Sequence, residues 1–307
     1  LYVDANVSTS PNGSSCQLAL KTLEEALNLA NSYNTIAAIK VAGGTYYPTG
    51  KQSGTDLNKS FAINRGNLKL EGGYNAAANT RNPKANPSVL SGNIGSSSSN
   101  TDNSYHVMTI VGLNAQADSV VVDGFTIEGG NANADGNPGV NGVIVHQGHG
   151  GGIFIKDCSN GQKLALRNLT FINNRAKRFG GGLHIINSSP LIDRCIFSLN
   201  QSEGISDTGG AGLATETNGS PKIVNSVFIN NSTESLGGAV FNSSTTPSII
   251  NCTFFNNGAA YGGLAIYNQQ GAILTLSNTI IWNSGTSNSL ITNNYSAVNA
   301  TYSNIRQ

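Results

Sequence analysis

Charge is scarce in this chain. Of 307 residues, 17 are Lys or Arg and 16 are Asp or Glu, 11% in all, where an ordinary globular domain carries about 25%. The formal net charge of +1 leaves no basic footprint for nucleic acid, which excludes that partner class. Long apolar runs are missing too. None approaches the roughly 18 residues of a membrane helix, so no transmembrane segment is expected. Cysteine occurs four times, at Cys16, Cys158, Cys195 and Cys252, and never in a C-x-x-C or zinc-type spacing. That argues against a thiolate metal site. Disorder does not follow from the low charge, because disordered chains combine high net charge with low hydrophobicity, and here 38% of residues are hydrophobic.

Glycine (37) and asparagine (42) are abundant, together about a quarter of the chain. A repeat explains them. Arg167–Asn174 (RNLTFINN), Asp193–Asn200 (DRCIFSLN), Val224–Asn231 (VNSVFINN) and Ile250–Asn257 (INCTFFNN) align without gaps, and Ser277–Asn283 (SNTIIWN) is a shorter fifth copy. Their final Asn residues recur at intervals of 26, 31, 26 and 26. A second motif interleaves with the first: GGIFI (151–155), GGLHI (181–185), AGLAT (211–215), GAVFN (238–242) and LAIYN (264–268). Its anchors Ile153, Leu183, Leu213, Val240 and Ile266 recur at 30, 30, 27 and 26.

Each unit is too short for two helices, and its apolar residues alternate, which is the pattern of a strand. Leu169, Cys195, Ser226 and Cys252 share one inward position, and Phe171, Phe197, Phe228 and Phe254 share the next inward position. A unit of this size cannot bury its apolar face alone and must stack on its neighbours. Parallel strands stacked about 4.8 Å apart give an all-β fold, a parallel β-helix or β-solenoid. A right-handed coil is expected because parallel crossovers are overwhelmingly of that hand. The composition then makes sense. Tight corners favour Gly and Asn, which tolerate left-handed backbone, and like charges stacked rung on rung would repel.

The first half is less regular. Leu18, Leu20, Leu23, Ala26, Leu27 and Ala30 recur at helical spacing within Cys16–Asn31, which predicts an N-terminal amphipathic helix. Such an array needs an atypical cap over its open core, and the helix suits that role. Ile36–Val41 reads as a buried strand, 61–74 and 105–127 supply further strands, and 75–104 and 129–149 read as long loops. The expected organisation is one domain over 1–307: a cap with its α-helix at 1–35, irregular rungs at 36–128 and regular repeats at 150–307.

The ordered segments YVDAN (2–6), LKTLEEALNLA, VAGGTYYPTG (41–50), LEGGYNA (70–76), LSGNIG (90–95), DNSYHV (102–107) and VDGFTIEGG (122–130), followed by the two repeats, resemble the bacterial right-handed parallel β-helix proteins of the pectin-lyase-like superfamily. They also resemble the repeats of polymorphic outer-membrane proteins. The resemblance covers nearly the whole chain. It implies an extracellular or cell-surface location, often within a longer polypeptide, and does not imply one activity. The closing YSNIRQ (302–307) reads as the start of a further strand.

Lyases of that superfamily generally use acidic calcium ligands and a basic residue. Here the aligned outward position holds Asn168, Arg194, Asn225, Asn251 and Ser277, with no acidic cluster. No metal site and no cofactor are therefore expected, with calcium left open although no ligand cluster is identified. The strand aspartates Asp123 and Asp193 lack the partner carboxylates a glycosidase requires. The weak catalytic candidates are basic: His184, with Arg175 and Arg178 before it and His149 in the preceding loop, could meet an anionic sugar. The candidate ligand-binding residues are Phe154, His184, Phe241 and Tyr267, which share an outward slot on successive rungs and could stack sugar rings. The leading expectation is a binding or adhesin-like module for polysaccharide or a cell-surface glycan. A polysaccharide lyase or glycoside hydrolase is the alternative, and a structural stalk the third reading.

Overall fold

The computed structural model describes residues 1–8, 11–113, 119–159, 161–204, 207–283 and 289–306. Within them the chain winds into a parallel β-helix with three long sheets. The first runs from Tyr2–Val3 through Ala38–Ala42, Leu68–Asn75 and Val120–Asp123 to Ala297–Thr301. The second runs from Gly44–Tyr46 to Asn304–Arg306, and the third from Phe61–Ile63 to Ile291–Asn294. A short fourth ladder joins Asn131–Ala132, Arg175–Ala176, Gln201–Ser202, Ser232–Thr233 and Gly258–Ala259. Pairing along the path of each of the four is parallel. The antiparallel pairs among the described residues are two hairpins, Tyr74–Asn75 with Thr80–Arg81 and Gly139–Val140 with Val143–Ile144, and one isolated bridge, Lys51 with Lys59.

The two sequence ladders become physical columns. Phe171, Phe197, Phe228 and Phe254 are fully buried and stack with ring centroids 4.5, 4.6 and 4.7 Å apart and planes within 3° of parallel. That distance matches the strand spacing, so backbone pairing and ring stacking are satisfied together. Ile153, Leu183, Leu213, Val240 and Ile266 form a second inward column in direct register.

The repeated Asn residues do more than turn a corner. The backbone N–H and side-chain Nδ2 of Asn174 both donate to Oδ1 of Asn200, at 3.1 Å each. Asn200 repeats this onto Asn231, and Asn231 onto Asn257. Each Nδ2 also reaches back to a carbonyl of the turn before, as Asn231 does to Phe197 at 2.9 Å. All these amides are buried, so they satisfy corner backbone that neither strand pairing nor water reaches. Neighbouring corners hold residues in left-handed conformation, among them Asn168, Asn225, Asn251 and Asn278. In the fifth repeat Asn278, not Ser277, occupies that corner. The residue missing from this copy is lost after Trp282, where Phe255 pairs with Trp282 while Asn283 still accepts from Asn257.

The third corner is glycine. Gly180 has φ +65°, and a Cβ on Gly181 would lie 2.2 Å from the carbonyl oxygen of Gln201 on the next turn.

The capping helix is shorter than the periodicity predicts. It spans Leu23–Ser32 and opens with a capping box, Thr22 and Glu25 each accepting from the other's backbone N–H. That box fixes the start. Upstream, Leu20 instead bridges Val3, and Leu18 is exposed. The helix buries Leu23, Ala26, Leu27 and Ala30 in one core cluster with Val3, Ile39 and Phe61, so it caps the coil as expected. The predicted loop 75–104 contains a true rung strand, Ser88–Ser91, whose inward Leu90 is fully buried. All four cysteines are free, and burial pushes the Cys195 thiol up to about 12.

The Asn ladder makes a test. Asn231→Ala strips partners from Asn200, Asn257 and the Phe197 carbonyl at once, and each buried unpaired group costs about 1–3 kcal/mol. Chemical denaturation should show a loss of about 3 kcal/mol or more. Asn251→Ala, at an exposed left-handed corner, should lose about 1 kcal/mol.

Candidate functional site

The outward slot of the third sheet is built as expected and then covered. Phe154, His184, Ala214, Phe241 and Tyr267 lie in register on successive turns, but Phe154, His184 and Phe241 are fully buried and Tyr267 is 8% exposed. Phe154 packs against Val111, Val140 and Val145, the latter two from segment 129–149. Phe241 and Tyr267 pack with Ala214 and Leu236, with Phe179 against them. The outward aromatic ladder is therefore a second, outer core, covered by neighbouring segments. Strand period gives the direction of a side chain but not what lies over it.

Within this outer core the chain's complement of four histidines gathers in one patch. His149 lies 5.0 Å from His184 between ring centroids and 4.9 Å from His146, on which it stacks. His106 and His184 both contact Phe154. His184 is held between Phe154, edge-on at 5.7 Å, and Phe179, stacked at 5.6 Å. Small Ala214 follows His184 in the column, and from two residues beyond it Glu216 reaches back, its Oε2 2.8 Å from His184 Nε2. His106 Nδ1 is 3.0 Å from the Gly150 carbonyl, and His146 Nδ1 is 2.6 Å from Asn137 Oδ1.

A cavity of about 300 Å³ opens beside the patch, lined by Asp135, Asn137, His146, His149 and Arg178 among others. Asp135 pairs with Lys177 and, at 3.4 Å, with Arg178. Of the basic candidates, His149, His184 and Arg178 thus lie in one neighbourhood, with His184 buried behind the cavity wall. Arg175 does not join them. It donates from Nε to Gln201 Oε1 at 2.8 Å and lines a separate polar groove of about 740 Å³ with Asn93, Asn103, Glu128, Asn131 and Gln201.

Burial sets the protonation of the patch. Desolvation, reinforced by neighbouring histidines, pushes His106 down to about 4. The same causes hold His149 far below the ordinary imidazole range, and desolvation followed by Lys156 lowers His146. These three rings are neutral at pH 7 and present free lone pairs.

Donor atoms of His149, His184 and Glu216 all lie within 4.8 Å of one another, a set the sequence pattern did not assemble. The signal was present: Glu216 aligns with Ile186 one turn below, two residues along from the His184 column and on the same face. The strand aspartates are structural. Asp123 pairs with Arg81 and accepts from Asn168, both at 2.8 Å, and Asp193 pairs with Arg194 and accepts from Asn225.

Parallel rungs, stacked inward ladders and a helical cap define the class. The chain belongs to the right-handed β-helix family: the family model described as "Right handed beta helix region" matches residues 123–305. Among solved structures it is similar to the pectate lyase Pel9A, with 14% identity, 98% of this chain and 77% of that chain covered, and a TM-score of 0.54. It is also similar to the pectin methylesterase PemA from Erwinia chrysanthemi, with 11% identity, coverage of 92% and 80%, and a TM-score of 0.47. The surface adhesin PfbA of Streptococcus pneumoniae follows at 9% identity, coverage of 99% and 92%, and a TM-score of 0.36. At these identities the likeness is one of fold. No curated protein matches the sequence. No helix among the described residues is long and apolar enough to cross a membrane.

The buried imidazoles predict a pH dependence. Below the ordinary value of 6.5 the unfolded chain takes up a proton that folded His106 refuses until about pH 4. Its contribution is therefore complete above pH 6.5 and is lost as pH falls through that window. With EDTA present, the urea midpoint should drop between pH 6.5 and 4, and His106→Asn should make that drop smaller. An unchanged pH slope in the variant would contradict the assignment.

Proposed function

We propose that the protein is an extracellular glycan-binding β-helix whose ligand lies in the polar groove at Arg175. The observation that carries this reading is the groove's lining, which draws on turns at Asn93, Asn131, Arg175 and Gln201. Planar amides offer paired donors and acceptors to sugar hydroxyls. Arg175, its guanidinium aligned by Gln201, is suited to a sugar carboxylate. A charge-poor wall suits a neutral or sparsely charged polymer, and a rigid parallel stack holds the donors at a fixed repeat. With the aromatic slot covered, recognition rests on hydrogen bonds and on this one cation. Enzymatic cleavage of a polysaccharide is the second reading, favoured by the cavity that brings His146, His149 and Arg178 together.

Binding to a panel of uronate-containing polysaccharides, measured by calorimetry, tests the reading. At least one should bind, and Arg175→Ala should weaken it by about tenfold or more, as loss of a charge-assisted hydrogen bond requires. Binding indifferent to Arg175→Ala rules out this groove. New unsaturated ends, seen by ultraviolet absorbance, would favour the enzyme instead.

A further inference from the structure

The geometry points to a divalent-cation site of the zinc class at His149, His184 and Glu216, linking three successive turns of the coil. Their donor atoms lie within 4.8 Å of one another. Neighbouring donors around tetrahedral zinc sit about 3.3–3.6 Å apart, given bonds of about 2.0–2.2 Å, so the 2.8 Å His184–Glu216 pair opens a little and His149 closes in to complete the shell. The parts that must move are Glu216 and His149. Glu216 has 24% of its side chain exposed, and His149 ends the segment leading into Gly150. His184 is the fixed point, fully buried and clamped between Phe154 and Phe179.

A second observation is independent of these distances. The Nδ1 atoms of His149 and His184 are both buried and lack a hydrogen-bond partner. A buried polar atom ordinarily finds a partner; a cation held with Glu216 would take His184 through the Nε2 that faces Glu216, so the orphaned nitrogen it accounts for is that of His149. Two imidazoles and one carboxylate suit zinc, cobalt, nickel or copper, whereas calcium and magnesium favour oxygen shells. The cavity beside His149 gives a path of entry and room for the water that would complete a three-ligand site. Bound metal would fasten the segment before Gly150 to the strands Leu183–Ser188 and Leu213–Glu216.

The test is zinc binding to the whole chain, stripped with EDTA, by equilibrium dialysis and elemental analysis, with cobalt as a spectroscopic stand-in. One zinc per chain is expected, together with a raised melting temperature and cobalt ligand-field bands of four-coordinate type. His149→Ala and Glu216→Gln should each weaken binding by more than about 100-fold, beyond the loss typical of an outer-sphere partner. Glu216→Gln keeps the side chain's size and a hydrogen bond to His184, so it reads the site even if His149→Ala fails to fold. No zinc bound by the wild type, or unchanged affinity in Glu216→Gln, overturns the site. Calcium at equal concentration should not displace the zinc.

Discussion

Everything in this molecule follows from stacking identical turns in register. Parallel strands repeat at about 4.8 Å, so whatever residue stands at one position meets its equivalent one turn on. A phenyl ring tolerates that, and the Phe171 column stacks almost face to face. A carboxamide tolerates it better still, because it donates on one side and accepts on the other. A charge does not, which is why the chain carries so few. Asparagine is thus at once the corner residue and the bond between corners. In the Asn174 column it satisfies backbone groups that a bend would otherwise leave buried and unpaired.

The same stacking makes one face exceptional. On the third sheet the outward column is apolar, and the chain covers it with segment 129–149 and with Phe179 and Leu236. That layer desolvates the histidines. Ala214 breaks the aromatic column, and Glu216 and His184 meet where it does. A place where the repeat fails is a place where unlike side chains can be brought together. The polar groove at Arg175 is the other departure from plain repetition, since Gln201 and Arg175 sit on a ladder whose later members are Ser232 and Gly258.

Much of this was legible in the residues because a repeat writes each column several times. The Phe and Asn ladders and the direction of the GG motif are of that kind. Features written once were harder. The Thr22–Glu25 capping box overrides an apolar period that runs on to Leu18. The single strand Ser88–Ser91, following Pro87, shows only one buried leucine to its core. The candidate sites lie further from reach. Alternation predicted that Phe241 and Tyr267 leave the inner core, but only the path of the covering segments decides whether they meet water. The histidine patch draws on positions scattered from His106 to Glu216, whose convergence depends on unequal loop lengths between turns.

Side-chain amides hold the corners as firmly as strand pairing holds the sheets. Native-state hydrogen exchange reads this residue by residue. The backbone N–H groups of Asn174, Asn200 and Asn231, each donating to the next side chain in the column, should exchange as slowly as the amides of the flanking strands. Exchange at the rate of exposed turns would show that the ladder does not hold the coil.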